Sequence, residues 1–194
     1  MAHIHDRQDR YEVRLAGTGG QGMILAGMIL AEAVAIYDGR NAVQTQAYGP
    51  EARGGPSKSE VIISSGSIYY PKVIAADLLL CMSQEACDKY YYDLMHEGLL
   101  IVDSRYVERI PTSRATSAPI SEIAIETTGR EITAAMVALG MICGLSDIVS
   151  EQALEKAIRA CVPRGTEEMN LAAMRAGVRE AASIGESSGH KEAN

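Results

Sequence analysis

Residues 11–39, YEVRLAGTGGQGMILAGMILAEAVAIYDG, run from an alternating stretch through a glycine-dense hexapeptide at 17–22 into a long, nearly uncharged segment. Alternation over 11–17 reads as a strand. The apolar residues after Gly22 read as a helix, with Gly39 as its C-terminal stop. A strand that enters a helix through so tight a turn is the opening unit of an open α/β sheet. The helix is unusual, because Glu32 is the only charged residue before Asp38. A surface helix needs a polar face, so this one is expected to be buried all round or to lie at a subunit interface.

The remaining pattern agrees with that class. Strands are expected at 42–48 (AVQTQAY), 57–65 (SKSEVIISS), 76–82 (ADLLLCM) and 99–104 (LLIVDS). The last two are continuous apolar runs of the kind found in buried parallel strands. Between them a helix is expected from an N-cap at Ser83 to a stop at Gly98. A linker or edge strand near 115–117 leads to a helix opening at Pro119, and three further helices fill the chain to Gly185. The expectation is an α/β fold: a three-layer, open, mostly parallel sheet with a Rossmann-like first βαβ unit and a helix-rich C-terminal third. It occupies 11–185 as a single domain, with flexible tails at 1–10 and 186–194.

Composition removes several functions. The net charge of −7 and the lack of a basic run argue against nucleic acid as a partner. No apolar run reaches eighteen residues and no secretory signal is present, so a cytoplasmic protein away from membranes is expected. Cys81, Cys87, Cys143 and Cys161 stand at unrelated spacings and read as reduced small hydrophobes rather than cluster or metal ligands. His3, His5, His96 and His190 form no metal-ligand pattern. The chain has nine tyrosines but neither Phe nor Trp, so its core must be aliphatic.

Gly17, Gly19 and Gly22 satisfy G-x-G-x-x-G between a strand and a helix, the context in which that motif cradles a pyrophosphate. The following strand nevertheless ends TQAYG, without the acid that would hold a ribose 2′-hydroxyl. Three readings stay open: a weak nucleotide site, a turn that only lets helix and strand pack, and close approach by another chain or an anionic ligand. A second specified loop, AYGPEARGG, follows at 47–55. Its glycines permit close backbone approach, and Arg53 offers a planar fork to a carboxylate or phosphate, or to Glu51 beside it.

AGTGGQG together with TQAYGPEARGGPSKSEVIIS closely resembles the gamma subunits of the 2-oxoacid:ferredoxin oxidoreductases. That family carries a GxGGQG loop and, some thirty residues later, YGPE-x-RGG. The likeness runs from about Tyr11 to Gly185, and YDGRNAVQTQAYGPEARGG is most similar to the 2-oxoglutarate-specific branch. Pyruvate, branched-chain and indolepyruvate enzymes share related motifs, and an independent Rossmann-like nucleotide-binding protein is the alternative from outside the family. The resemblance implies oxidative decarboxylation of a 2-oxoacid to an acyl-coenzyme A, with ferredoxin as electron acceptor. Thiamine diphosphate, Mg and Fe-S clusters then sit on partner subunits (alpha, beta and, in some complexes, a ferredoxin-like delta), and coenzyme A is a co-substrate. No residue of this chain is expected to be catalytic or to bind metal. Its contribution is a border, facing a partner subunit or coenzyme A, made by Gly17, Gly19, Gly20, Gln21 and Gly22 with Tyr48, Gly49, Pro50, Glu51, Arg53, Gly54 and Gly55. Both loops are expected at the carboxyl ends of parallel strands, where open α/β sheets place their sites.

Overall fold

The computed structural model describes residues 10–47 and 56–189. Six strands form one sheet: β1 (Arg10–Gly17), β2 (Asn41–Ala47), β3 (Ser57–Ser64), β4 (Ala76–Cys81), β5 (Leu94–Asp103) and β6 (Thr116–Ala118). Their spatial order is β2-β3-β1-β4-β5-β6. From β1 rightward all pairings are parallel, whereas β3 runs antiparallel to both β1 and β2. The first βαβ unit is therefore present but spread. β2 is parallel to β1, yet β3 hairpins back and fills the place between them. Only nine residues join Ala47 to Ser57, fewer than the dozen or so that a crossover between parallel strands needs, so the two strands pair antiparallel.

The pleat sorts side chains to opposite faces. Val13, Leu15, Val61, Ile63, Leu78, Leu80 and Ile101 enter one continuous apolar core with α1 (Met23–Glu32), α3 (Ile120–Thr128), α4 (Ala134–Leu145), α5 (Glu151–Cys161) and α6 (Glu167–Gly189). Ala16, Leu79, Cys81, Leu100 and Val102 point the other way, onto the single short helix α2 (Gln84–Tyr90). Helices thus cover both faces, but very unequally.

α4 and α6 approach at backbone distance. A Cβ added to Gly140 would lie 1.9 Å from the Met174 carbonyl oxygen, and one added to Gly177 would lie 2.0 Å from that of Val137. Local signals close the other helices. The Ser83 and Ser150 hydroxyls accept from Ala86 and Ala153 N–H groups at the starts of α2 and α5. Gly129, at φ 73°, ends α3. After α1 the chain widens into a π-helical turn, Ala33–Tyr37. Asp38 then accepts from the Ser150 N–H (2.8 Å) and hydroxyl (2.6 Å), tying that end to α5.

One expectation is corrected and one choice between alternatives is narrowed. The helix from Ser83 does not run to Gly98: α2 ends at Tyr90, a tight turn occupies Tyr91–Asp93, and β5 begins at Leu94, opposite Ala76. The sheet supplies the reason, since Arg14 bonds to Asp93 and lies 5.0 Å from the Tyr90 ring centroid, holding the turn in place. Of the two alternatives for the first helix, burial all round is excluded and a place at a subunit interface is left. Met23, Ala26, Ile29 and Leu30 are inside, but Met28 is 42% and Ile36, in the π-helical turn, 68% exposed.

Candidate functional site

β1, β2 and β4 end at the same sheet edge. Gly17 stands opposite Ser57 and Ala47 opposite Lys58, so the glycine loop and both anchors of the 48–55 connection share that edge. The Ser57 hydroxyl lies 3.3 Å from the Gly17 carbonyl and 3.4 Å from that of Thr18, within hydrogen-bond reach of both. Tyr48, Gly49, Pro50, Glu51, Arg53, Gly54 and Gly55 lie outside the described residues.

The strand order reverses between β1 and β4, because α1 leaves β1 toward one face and α2 leaves β4 toward the other. Open α/β sheets bind ligands in the crevice at that place. Here the protein's own Gln21 spans it. Its Oε1 accepts from the Thr18 N–H (2.7 Å), and its Nε2 donates to the Met82 carbonyl (2.9 Å). Met82 N–H in turn donates to the Ala16 carbonyl (2.9 Å), so loop, β1 and β4 are one bonded unit. Gly17 is obligatory for this lock, since a Cβ there would stand 2.4 Å from Gln21 Oε1 and 3.0 Å from Met82 Cβ.

Gly22 takes φ 79°, the left-handed region that disfavours a side chain, and a Cβ there would meet Ala135 at 3.1 Å. It is the N-cap of α1, where no side chain caps the helix and no acid sits in the first turn. The first amide groups of α1 therefore keep their demand for an acceptor. Thr18, Gly19 and Gly20 are exposed, and a Cβ on Gly19 or Gly20 would touch nothing within 4 Å. The crown of the loop is open to backbone approach while its base is locked.

This geometry disfavours a dinucleotide on a second ground. With β3 interposed, the end of β2 lies two strand spacings from β1, about 9–10 Å, instead of beside it. A ribose acid at the tip of β2 would stand one strand too far away. Sequence reading missed Met82 and Ser57 as the parts that fix the loop. Met82 acts through its main chain, which leaves no residue-type signal, and Ser57 becomes informative only once β3 is known to lie against β1.

Asp103 closes the same edge at the end of β5. Its side chain is fully buried and accepts from Ser121 N–H and hydroxyl, at the start of α3, and from Arg105 N–H. Burial pushes its carboxyl above the ordinary range, against those hydrogen bonds. Its work is to join β5 to α3.

The four thiols do not converge. Cys81 lies beneath α2 and Cys87 is on its buried side, Cys143 donates to the Val149 carbonyl, and Cys161 donates to Glu32. An iron–sulfur cluster does not fit them, and among the described residues no group of three or more His, Cys, Asp or Glu could hold a metal ion.

The family model described as pyruvate ferredoxin/flavodoxin oxidoreductase matches residues 12–180. The chain belongs to that family. It is 51% identical over 172 residues to the 2-oxoglutarate synthase subunit KorC of Methanocaldococcus jannaschii, covering 87% of this chain and 92% of that one. It is 48% identical to the KorC of Methanothermobacter thermautotrophicus, over 87% and 93% of the two chains. Among solved structures it is similar to the keto/oxoacid ferredoxin oxidoreductase gamma subunit of Geobacter sulfurreducens PCA. The TM-score is 0.83 at 48% identity, covering 90% of this chain and 97% of that one. Within the family, then, this chain matches separate subunits nearly end to end.

Proposed function

We propose that the chain is the gamma subunit of a multi-subunit 2-oxoglutarate:ferredoxin oxidoreductase. That enzyme decarboxylates a 2-oxoacid oxidatively to its acyl-coenzyme A and reduces ferredoxin. The observation that carries this reading is an exposed glycine crown, locked from below and placed beside the anchors of loop 48–55, in a chain half identical to 2-oxoglutarate synthase subunits. Thiamine diphosphate, Mg and Fe-S clusters belong to alpha, beta and, where present, delta partners, and the complex works in the cytoplasm. This chain contributes a surface, and carries no thiamine or cluster site of its own.

On that surface Gly17, Gln21 and Gly22 set the loop's shape, while Gly19 and Gly20 let an anion or a partner's backbone come close. To the same border we assign Tyr48, Gly49, Pro50, Glu51, Arg53, Gly54 and Gly55, on their residue types and on the place of their anchors, Ala47 and Ser57. Open helix amides and an arginine fork both suit a phosphate or carboxylate, as on coenzyme A or a partner side chain.

The test is co-purification with the partner subunits, followed by coenzyme A-dependent ferredoxin reduction across a panel of 2-oxoacids. Highest kcat/KM with 2-oxoglutarate is expected. Preference for pyruvate or a branched-chain acid overturns the substrate, and 2-oxoacid oxidation by this chain alone overturns the division of labour. Arg53→Ala is expected to raise the coenzyme A KM or weaken assembly while leaving the isolated chain's melting unchanged. Arg53→Lys is expected to rescue only in part, because an ammonium cannot make the two-pronged contact.

A further inference from the structure

The two edges of the sheet are protected differently. β6 closes one side after three residues, and so short an edge offers little for another strand to pair with. β2 closes the other side with seven, paired to β3 without a break in register and, among the described residues, to no other strand. Its sequence, NAVQTQA, has no charge and no proline, and none of its residues is buried. Charge, proline, a bulge and brevity are the means by which sheet edges refuse a further strand, and β2 uses none of them. Alternate N–H and C=O groups along it point away from β3, toward the open side.

The helix above this edge is open on the same side. Gln44 Nε2 donates to the Ile24 carbonyl (3.3 Å) and to the Ser59 hydroxyl (2.9 Å), which sets the Ile24 side of α1 over β2. Met28 and Ala31 follow Ile24 at helical spacing on that side, and none of the three is buried. The apolar residues on the other sides of α1, Met23, Ala26, Ile29 and Leu30, are all inside.

We propose that β2 pairs with β2 of a second copy of this chain, antiparallel about a two-fold axis that passes beside Gln44 and stands normal to the sheet. The two six-stranded sheets become one, and the Ile24–Met28 sides of the two α1 helices face each other above the junction. The strand is its own complement. A centre at Gln44 uses all seven residues and sets Gln44 opposite the second copy's Gln44, Val43 opposite its Thr45 and Ala42 opposite its Gln46. Amide then meets amide, β-branched side chain meets β-branched side chain, and no like charges face each other, although the chain carries −7 overall. A protein of different sequence would need a neutral edge of matching length; a second copy brings one by symmetry, and a two-fold interface closes at two. A stable interface engages roughly 20–30 residues a side, more than a strand of this length supplies, and the open side of α1 adds to it. Because the strands run in opposite directions, the two glycine crowns point to opposite ends of the joined sheet and stay free for other subunits.

Sedimentation velocity of the purified full chain is expected to show a dimer, at twice the chain mass. Val43→Lys with Thr45→Lys sets lysines opposite lysines and should give a monomer whose melting temperature stays within a few degrees of the folded parent chain. Val43→Glu with Thr45→Glu should also separate, and mixing the two doubly substituted chains should restore a dimer, since lysine then faces glutamate across the pair. Met28→Glu leaves the strand untouched and should raise the dimer Kd about tenfold or more. A parent chain that is monomeric overturns the second copy as the occupant of this edge. A dimer that survives both pairs of substitutions overturns β2 as the contact, and variants that separate but do not recombine overturn the antiparallel register. An unchanged Kd in Met28→Glu overturns the part given to α1.

Discussion

Along β1, Val13 and Leu15 point into a core shared by five helices, whereas Glu12 and Arg14, one residue out of step, point into a layer organised by charge. The helix-covered face is aliphatic and packed to backbone contact. The other face buries Glu12 at 2%, Arg14 at 4% and Glu60 at 5% exposure beneath one short helix and the 65–75 connection. Arg14 donates to Glu60 (3.0 Å) and to Asp93, and Lys58 donates to Glu60 (2.6 Å). Glu12 accepts from Ile74 N–H (2.6 Å), Ala75 N–H (3.1 Å) and Arg10 (2.7 Å), and Arg10 reaches the Tyr70 and Lys72 carbonyls. Among the described residues no buried side-chain nitrogen or oxygen lacks a partner.

The two faces solve different problems. Apolar burial is strong and non-directional, so it holds five helices without dictating one turn's position. A buried ion network adds little net stability, but it is satisfied in only one geometry. Here that geometry fixes a loop and a helix end with too little apolar surface to fix themselves.

The largest effect is expected on the packed face. Gly140→Val places a side chain where the Met174 carbonyl already stands and should cost at least about 3 kcal/mol, since main chain cannot repack as a side chain does. Urea denaturation checks this, and a loss under 1 kcal/mol would mean that α4 and α6 are not in backbone contact.

Arg14→Leu leaves Glu60 with Lys58 as its remaining cation and takes Asp93's partner away, and should cost up to about 3 kcal/mol, whereas Arg14→Leu with Glu60→Leu should recover part of that loss. If the double variant is as damaged as the single one, the charges are not the organising element. In the recovered variant, faster hydrogen exchange at Tyr91–Leu94 would show that position, more than stability, is what the network supplies.

The faces should also differ in acid. At Glu60, burial pulls the pKa upward, but the Lys58 hydrogen bond and the charges of Arg14 and Lys58 outweigh it, leaving the carboxyl below its ordinary value of 4.5. A lowered folded pKa contributes stability above the unfolded value, and that contribution is lost as pH falls through the folded one. Asp103, with a raised pKa, has the opposite sign: its contribution is present in acid and lost as pH rises through its folded value. Denaturation from about pH 6 to pH 3 should show stability falling, less steeply in Glu60→Gln. An unchanged slope would remove Glu60 as the source.

Smaller still is Gly22→Val, expected to cost about 2 kcal/mol from its left-handed backbone and the Ala135 contact. Its effect on assembly with partner subunits should exceed its effect on melting. Normal assembly of a stable variant would show that the crown touches nothing.

Much of this was legible beforehand. The alternation at 11–17, the apolar runs at 76–82 and 99–104, and the serine cap at 83 are local signals, and local signals survive into the fold. The two motif loops could be matched to a family because their glycines answer to backbone geometry that few residue types allow. The exposed Met28 and Ile36 were not legible, because a helix apolar on every side does not say which side its neighbours leave open.

The sequence by itself determined the class of fold, the place of the glycine loop and the family, since each depends on residue type and short-range spacing. Only the tertiary structure decided that β3 slips between β1 and β2, that Gln21 bridges to a main-chain carbonyl sixty-one residues away, and that a helix expected to reach Gly98 stops at Tyr90. The reason is common to all three. Strand order, a main-chain acceptor and an arginine reaching from β1 to Asp93 are long-range pairings, and what a residue does in such a pairing is set by its partner.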